Sequence, residues 1–351
     1  MSEITAAQAL RFARDVAERI GASPADAQRA AELLVRAEVG GHPSHGLRRL
    51  AQYAAGWRDG TIVPSARAEI VRDEGSTATV DGRHALGQAV CTFATDLAAA
   101  RALEHGVAAV AVRHSGHCGR LADYADRACD HGVILLAFAN DSGAEQTVAP
   151  PGGLAARLST NPLAAGVPRA RRPHLVVDLA TSVAAFGKVR VLQDAGRPVP
   201  EGWMRGGLLQ PLGGAKGFAL ALLVEALAGV VSGAGAVSAD PGPDDQGIFL
   251  LAFDPARFGD PAQLAERLEA MLEYVTDVPH ESGAEPLRVP GSGLPPLPLD
   301  PDARFELEAA LAEQMAALAG ELGIPAPLTA ARARRRSSGP SSRRPRSGRS
   351  R

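Results

Sequence analysis

Residues 107–119 of the chain read VAAVAVRHSGHCG, in which six small or β-branched apolar residues run into a loop of polar groups. A short apolar run of this kind, preceded by a glycine, is typical of a buried strand. The loops that follow buried strands are where α/β proteins bind their ligands. The stretch therefore predicts an α/β protein with a candidate site over residues 113–119.

Helical and strand patterns alternate on both sides of this run. Thr5-x-x-Gln8 and Ser23-Pro24-Ala25-Asp26 are capping signals, and the apolar spacing after them predicts helices through about Ile20 and Val39. Further helices are predicted over about 46–57, 88–104, 119–130, 215–231, 262–276 and 302–322. Strands are predicted over 68–73, 77–82, 107–112, 133–139, 174–180 and 247–254. This order predicts an α/β or mixed-sheet layout, with a new domain beginning near residue 75.

The charges are distributed unevenly along the 351 residues. The chain has 37 Lys and Arg against 39 Asp and Glu, but residues 332–351 hold nine Arg and no acid. The rest of the chain therefore carries a formal charge of −11, which is unlike a nucleic-acid-binding core. The Arg/Ser-rich tail, 331–351, has nothing to bury and is predicted to be disordered. It is the one segment that could touch nucleic acid.

The cysteines and the apolar runs indicate the compartment. Cys91, Cys118 and Cys129 are an odd number without a Cys-x-x-Cys pair, as expected in a reducing cytoplasm and without a structural zinc. No apolar run approaches the roughly 18 to 20 residues that cross a bilayer, and the N-terminus lacks the shape of a signal peptide. We expect a soluble cytoplasmic protein.

A dense polar cluster occupies residues 42–53, HPSHGLRRLAQY. In a helix that starts near Gly46, Arg49 and Tyr53 share a face, with His45 at its N-terminal edge. Arginine can hold a carboxylate with two hydrogen bonds, and histidine can handle the proton of a neighbouring hydroxyl near neutral pH. The cluster therefore suits a small carboxylic acid. A histidine that caps a helix with solvated arginines fits the spacing equally well.

Two other groups of residues bear on metals and cofactors. His114-x-x-His117-Cys118 resembles a metal-ligand set, but no motif supplies a further ligand, so no metal is predicted. Asp178 closes a predicted strand, where its carboxylate could accept from ribose hydroxyls. Gly187-Lys188 and Gly213–Gly217 would allow phosphates to approach the backbone. None of these segments is a Gly-x-Gly-x-x-Gly fingerprint or a P-loop, which disfavours a Rossmann site and a P-loop NTPase.

Taken in order, these motifs resemble the malate/L-lactate dehydrogenase family of NAD(P)-dependent oxidoreductases. That family is distinct from the Rossmann-fold lactate and malate dehydrogenases, and it includes sulfolactate and ureidoglycolate dehydrogenases and reductases of cyclic imino acids. The resemblance covers about residues 4–325. Its motifs are Ser44-His45-Gly46 with Arg49 and Tyr53, Gly116–Gly119, Thr160-Asn161-Pro162, Asp178–Ser182 with Gly187-Lys188, Pro200–Trp203 and Gly213–Gly217.

The resemblance implies a sulfolactate dehydrogenase-like fold and a homodimer. A mixed-sheet, non-Rossmann NAD(P)-binding domain is expected over residues 76–245. A helical domain for substrate and dimer contacts is expected from both chain ends, residues 1–75 and 246–330.

The resemblance also implies roles for individual residues. His117 matches a proton acceptor, Ser44 and His45 match a proton relay of other members, and Arg49, with Tyr53 beside it, matches the arginine that binds the substrate carboxylate. Lys188 stands where some members carry an acidic relay residue. Cofactor contacts are implied for Asn140, Thr160, Asp178, Leu179, Ala180, Lys216, Gly217, Pro290 and Gly291.

The expected activity is hydride transfer between NAD or NADP and a small 2-hydroxy or 2-oxo acid, or a related imino acid. No charge signature in the sequence chooses between the two nucleotides. One departure supports an alternative. Met204-Arg205-Gly206-Gly207 replaces a longer acidic loop of the family, as expected of a catalytically weakened, ligand-binding relative.

Overall fold

The computed structural model describes residues 2–327 except 144–145, 195, 240–244, 280, 282, 284 and 286. The predicted disorder of the tail 331–351 lies outside the described residues. The helices are α1 (Ala6–Arg19), α2 (Pro24–Val39), α3 (Arg49–Asp59), α4 (Gly87–His105), α5 (Ala122–Asp130), α6 (Phe186–Asp194), α7 (Ala215–Val224), α8 (Pro261–Thr276) and α9 (Ala309–Leu322). The strands are β1 (Ser2–Thr5), β2 (Glu69–Asp73), β3 (Thr77–Asp81), β4 (Val107–Ser115), β5 (Ile134–Asp141), β6 (Leu163–Val167), β7 (Leu175–Leu179), β8 (Met204–Arg205), β9 (Leu208–Leu209), β10 (Gln246–Phe253) and β11 (Arg304–Leu307).

The first two helices begin at the predicted caps. The Thr5 side chain accepts a hydrogen bond from the backbone N–H of Gln8 at 3.2 Å, and the Gln8 side chain accepts from the N–H of Thr5 at 3.0 Å. The Ser23 hydroxyl accepts from the N–H of Asp26 at 3.2 Å. Each cap satisfies N–H groups that the first helical turn leaves unpaired, so these starts are local properties of the sequence.

A seven-stranded sheet forms the centre of the fold, in the order β2-β3-β4-β10-β5-β6-β7. The β3–β4 pair is parallel and the other neighbours are antiparallel, which confirms the mixed sheet. β10 lies between β4 and β5, and β2 is the strand at one edge. The sheet therefore includes residues 69–73 and 246–253, which lie outside the range 76–245 expected for the cofactor domain.

A second core is built from both ends of the chain. It contains Phe12 of α1, Leu34 of α2, Leu50 of α3 and Leu311 of α9, each at most 5% exposed. β1 pairs antiparallel with β11 beside these helices. Residues 302–308 were expected to be helical, and this expectation is wrong. The segment 304–307 forms a strand because β1, about 300 residues away, satisfies its backbone.

Two other boundaries differ near the site. The third helix begins at Arg49 rather than Gly46, because a 3₁₀ turn over Pro43–His45 precedes it and Gly46 has non-helical backbone angles, φ −98° and ψ −145°. β4 continues to Ser115, and α5 begins at Ala122 rather than at residue 119. The loop of the opening stretch is therefore 116–121.

Buried ion pairs join the helical core to the sheet. Arg36 of α2 is 1% exposed and donates to the carboxylates of Asp123 at 2.9 Å and Asp126 at 2.6 Å, both on α5. Arg120 donates to the same Asp123 at 2.8 Å. Removing one member of such a network would leave an uncompensated buried charge, so these contacts fix α2 against α5.

Candidate active site

A cleft of about 640 Å³ opens where β7 ends. The end of β7 supplies Asp178 to Ala180, and the turn at Pro290 and Gly291 lies beside the same strand, since the Pro290 carbonyl accepts from the N–H of Val176 at 3.1 Å. The sequence-predicted residues that line the cleft are His45, Thr160, Asp178, Leu179, Ala180, Lys188, Pro290 and Gly291. The cleft thus brings together most of the expected cofactor contacts and one expected catalytic histidine.

Asp178 presents its carboxylate to this cleft. Its Oδ2 accepts from the backbone N–H of Ala122, at the start of α5, at 2.8 Å. Desolvation by the walls of the cleft raises the pKa of Asp178 to about 6, although the N–H of Ala122 and the charge of Arg120 oppose this shift. A carboxylate in this position can accept hydrogen bonds from hydroxyl groups of a ligand.

Arg120 and His42 also line the cleft, and the sequence reasoning assigned neither a role. Nη1 of Arg120 lies 3.3 Å from Nδ1 of His42, and Asp123 binds the rest of the guanidinium. Arg120 and Lys188 place positive charge in the cleft, whereas burial and the charge of Arg120 lower the pKa of His42 and favour its neutral form. Arg120 directly follows Gly119 and His42 begins the polar cluster 42–53, but the sequence does not show that the two meet, because the contact between them spans 78 residues.

His45 and Ser44 are held on the 3₁₀ turn between α2 and α3. Ser44 Oγ lies 3.0 Å from His45 Nδ1. Glu38 of α2 lies behind this turn, and its Oε1 accepts from the N–H of Leu47 at 2.8 Å. A Cβ atom on Gly46 would collide with Glu38 Oε1, so a larger residue here would have to displace the Glu38 side chain. Burial raises the pKa of Glu38 to about 7.

His117 lies beside His45. Their rings stack with centroids 5.8 Å apart and an interplanar angle of 26°. Desolvation lowers the pKa of His45 to about 3 and lowers the pKa of His117 well below its usual value, and the nearby charge of Arg49 lowers both further. Both imidazoles are therefore neutral at pH 7, and a neutral imidazole can take or give one proton.

Tyr53 and Arg49 complete the cluster. The phenol oxygen of Tyr53 lies 3.0 Å from His117 Nδ1 and also receives a hydrogen bond from Gln88 at 2.6 Å. Arg49 donates from Nε to the Ser44 carbonyl at 2.8 Å and from Nη1 to Gln52 at 2.7 Å, which fixes the plane of its guanidinium. The five predicted residues Ser44, His45, Arg49, Tyr53 and His117 thus form one cluster.

Residues 204–207, where the sequence departs from the longer acidic loop of the family, form a tight hairpin. β8 and β9 pair antiparallel across Gly206 and Gly207, whose φ angles of 59° and 83° suit a two-residue turn. Trp203, just before the hairpin, lines the cleft, and Lys188 Nζ lies 5.3 Å from the centroid of its ring. The short turn therefore retains this wall of the cleft.

Three expected cofactor contacts do not line the cleft. The Asn140 side chain is buried, where its amide donates to the Gly235 carbonyl at 2.9 Å and its oxygen accepts from the N–H of Gly247 at 3.2 Å. Lys216 is exposed in the first turn of α7, and Gly217 is buried against the Leu212 backbone. Their cofactor roles stay predictions.

His114 is separated from His117 by the end of β4. It lines a second cavity of about 240 Å³ with His84, Ser142 and Asp245, and its Nδ1 lies 3.0 Å from Asp81 Oδ2. His114 therefore faces this second cavity and His117 contacts Tyr53, although their spacing in the sequence resembles a metal-ligand set. Over the part of the chain that the structure describes, no group of three or more His, Cys, Asp or Glu residues is arranged to hold a metal ion.

The cleft suits a nicotinamide nucleotide by its chemistry. Asp178 offers an acceptor for ribose hydroxyls, Arg120 and Lys188 offer positive charge for phosphates, and apolar side chains such as Leu121 and Val183 offer surfaces for rings. The donor and acceptor set thus fits the group that the family motifs imply.

Comparison with known proteins agrees with this geometry. The family model described as malate/L-lactate dehydrogenase matches residues 4–293. An L-lactate dehydrogenase of Cupriavidus necator is 37% identical over 313 residues, 82% of this chain and 89% of that protein. An L-sulfolactate dehydrogenase of Methanothermobacter thermautotrophicus is 36% identical, covering 70% and 76%. A (2R)-3-sulfolactate dehydrogenase (NADP(+)) of Chromohalobacter salexigens is 33% identical, covering 86% and 93%.

A solved structure agrees with the family match. Sulfolactate dehydrogenase from Methanocaldococcus jannaschii superposes with a TM-score of 0.82 at 27% identity, over 92% of this chain and 98% of that one. The sheet order, the cleft at the end of β7 and the histidine cluster thus occur in a chain that belongs to the malate/L-lactate dehydrogenase family.

Proposed function

We propose that this protein is a dehydrogenase that interconverts a small 2-hydroxy acid and its 2-oxo acid with NAD or NADP. The observation that carries the proposal is the position of His45, which lines the cleft beside Asp178 while its ring stacks on His117. The His45 ring thus lies between the candidate nucleotide site and the cluster proposed to transfer the proton. The lactate, sulfolactate and other hydroxy-acid dehydrogenases among the relatives support the same reaction class.

Some of the site residues would bind the nucleotide and the substrate, and others would transfer the proton. A bound nicotinamide nucleotide would accept or supply the hydride. Thr160, Asp178 to Ala180 and the Pro290–Gly291 turn would hold that nucleotide, and Arg49 would bind the substrate carboxylate. His117, ranked ahead of His45, would take the hydroxyl proton when the acid is oxidised and return it when the oxo acid is reduced.

The alternative, a catalytically weakened relative, has less support. The feature that favoured it is the short turn at 206–207, yet Trp203 still lines the cleft and Lys188 packs over its ring. Ser44, His45, Arg49, Tyr53 and His117, the residues proposed for catalysis, also lie together.

The cleft has features that suit NAD and features that suit NADP. Asp178 offers an acceptor that suits an unmodified ribose, whereas Arg120 and Lys188 offer positive charge that suits an added phosphate. Both nucleotides are therefore tested.

The homodimer is also a proposal. Leu222, Leu223, Val230 and Val231 are 46–67% exposed along α7 and the π-helical segment that continues it to residue 231. Exposed apolar surface of this kind favours association, and we propose a second copy of the chain as the partner. Sedimentation velocity would give the mass of one chain if this proposal is wrong.

We also propose that the protein is located in the cytoplasm. The three cysteines are free and buried, as suits a reducing cytoplasm. Across the described part of the chain, every helix is either too short or too polar to span a bilayer.

The decisive experiment is a panel of 2-oxo acids, including pyruvate, oxaloacetate and 3-sulfopyruvate, assayed with NADH and with NADPH by absorbance at 340 nm. Oxidation of either nucleotide that depends on one of these acids is the expected result. Cyclic imino acids are included as a second substrate class. If no acid or imine supports turnover while the nucleotide binds, the ligand-binding alternative is correct.

A further inference from the structure

Gln88 is a buried residue that no sequence motif singled out. It lies in the first turn of α4 and is 0% exposed. Its Nε2 donates to the phenol oxygen of Tyr53 at 2.6 Å, and that oxygen lies 3.0 Å from His117 Nδ1. Gln88, Tyr53 and His117 therefore form a chain of contacts across α4, α3 and the loop after β4.

Backbone packing fixes Gln88 relative to His117. A Cβ atom on Gly87 would collide with the carbonyl oxygens of Gly116 and His117, so the start of α4 lies directly against that loop. The N–H of Gly116 donates to the carbonyl of Ala85 at 3.1 Å, which ties the loop to the residues before α4. The distance between Gln88 and His117 thus follows from the main chain.

The Gln88 amide is poorly suited to a purely structural role. Its Oε1 is buried and has no hydrogen-bond partner, and a buried unpaired acceptor lowers stability. An apolar side chain of similar length would fill the same space without this cost. A buried polar group that is only half satisfied, beside a proton-transferring cluster, therefore indicates a functional reason for its presence.

We propose that Gln88 is a positioning residue that directs the Tyr53 hydroxyl at Nδ1 of His117, so that Tyr53 and His117 transfer the substrate proton as a pair. The amide N–H can only donate, so the phenol oxygen accepts from Gln88 and its own hydrogen is free to point elsewhere. The nearer acceptor is His117 Nδ1 at 3.0 Å, compared with the His117 carbonyl at 3.4 Å. Neutral His117 then carries its proton on Nε2.

This proposal rests on the proposed function and specifies its proton path. When an oxo acid is reduced, the Nε2–H bond of His117 breaks as the new O–H bond of the product forms. The O–H bond of Tyr53 breaks as an Nδ1–H bond forms, and the phenolate keeps the hydrogen bond from Gln88. Burial raises the pKa of Tyr53, so this phenolate is short-lived. Because the phenol is buried, its proton returns by the same path: a water that replaces the product gives a proton to Nε2 as the Nδ1 proton goes back to Tyr53. Oxidation of the hydroxy acid runs the same steps in reverse.

The tautomer can be measured without any activity. In ¹⁵N-histidine-labelled wild-type protein, with the His117 signals assigned from a His117→Gln variant, we expect Nδ1 to be unprotonated and Nε2 to be protonated at pH 7.5. A proton on Nδ1 would overturn the proposed direction of the hydrogen bonds. This measurement stands even if the wild-type protein reduces no oxo acid, so it separates failure of this inference from failure of the proposed function.

Substitution supplies the second test. We expect Gln88→Met to lower kcat about 10- to 100-fold with little change in either KM, and to leave Tm unchanged or raised. In a Tyr53→Phe background, the same change should have no further effect on kcat, since the hydroxyl it directs is gone. Thr95→Val is the matched control: Thr95 is also buried on α4 and bonds only within the helix, so kcat should be normal.

Two results would overturn the role of Gln88. One is a Gln88→Met enzyme with wild-type kcat. The other is a variant whose kcat loss is equally large in the Tyr53→Phe background, because Gln88 would then act independently of that hydroxyl. If Gln88→Met does not fold, the wild-type tautomer still decides the proposed direction.

Discussion

The imidazole rings of His45 and His117 stack with centroids 5.8 Å apart, although the two residues are 72 positions apart in the sequence and lie on different segments of the fold. His45 lies on the turn after α2, and His117 lies on the loop after β4. Burial and the charge of Arg49 lower the pKa of both rings, and the charge of His45 lowers the pKa of His117 further.

Proton transfer should therefore depend on both histidines. We expect His117→Ala and His45→Ala each to lower kcat by about 10²- to 10⁴-fold, because general acid–base catalysis contributes about that much. Binding of NAD(P)H, followed by fluorescence, should change little. His131→Ala, which alters an exposed histidine paired with Asp96, serves as the control. Normal kcat in His117→Ala with low kcat in His45→Ala would make the Ser44–His45 pair the relay, and normal kcat in both would exclude histidine altogether.

Arg49 should determine substrate affinity. Arg49→Lys keeps the charge but loses the planar fork that two hydrogen bonds now hold in place. We expect KM for the acid to rise about 10- to 100-fold, in line with the roughly 1.5–3 kcal/mol of a hydrogen bond to a charged group. Cofactor affinity should be nearly unchanged.

A neighbouring arginine gives the matched control for that substitution. Arg48→Lys affects a residue that pairs with Glu308 instead. An unchanged KM in Arg49→Ala would remove Arg49 from the substrate site.

Glu38 makes stability depend on pH. Burial raises the pKa of Glu38 to about 7, so between about pH 4.5 and 7 the unfolded chain loses this proton while the folded protein keeps it. The stability associated with the protonated form is present below pH 4.5 and is lost as the pH rises through 7. Glu38→Gln cannot ionise and can still accept from Leu47.

We therefore expect Glu38→Gln to be more stable than the wild type at pH 8 by about 1–3 kcal/mol, and about equal at pH 4.5. Urea unfolding at the two pH values measures the difference. Glu104→Gln, on the surface, controls for a general effect of removing one charge. A variant less stable than the wild type at pH 8 would show that the ionised carboxylate supports the His45 turn.

Residues 332–351 should be dispensable. They contain nine Arg and no apolar side chain larger than alanine or proline, so they have little to bury. A chain ending at Ala331 should have the same Tm and the same turnover as the full chain. A lower Tm would mean that the tail binds the acidic remainder, and salt-dependent RNA binding lost on truncation would give the tail a function of its own.

The sequence predicts those parts of the fold that local chemistry determines. The caps at Thr5 and Ser23 and the run 107–112 follow from neighbouring residues, and they are where the structure has them. β1 and β11 could not be predicted, because four-residue strands carry little periodic signal and their pairing joins opposite ends of the chain. The same pairing explains why residues 304–307 are not helical.

The candidate site likewise contains residues that the local sequence predicts and residues that it does not. The cluster of His45, Arg49 and Tyr53 could be predicted from spacing, and His117 from its place after a strand. Gln88 and Arg120 could not, because their roles come from contacts between residues 35 and 78 positions apart. A buried glutamine in a helix carries no chemical signature until the structure shows which hydroxyl it meets.

The ion pairs between Arg36 and the two aspartates of α5 bear on how the enzyme meets its ligands. They lie next to Arg120, which lines the cleft and shares Asp123, and separating α2 from α5 would take the Arg36 guanidinium away from both carboxylates. Separating the two helices would therefore cost free energy. This wall of the cleft becomes ordered when the protein folds, so little further conformational entropy is lost when a ligand binds. Changes of substrate preference in this protein should come from replacing individual side chains in the cleft, not from altering a hinge.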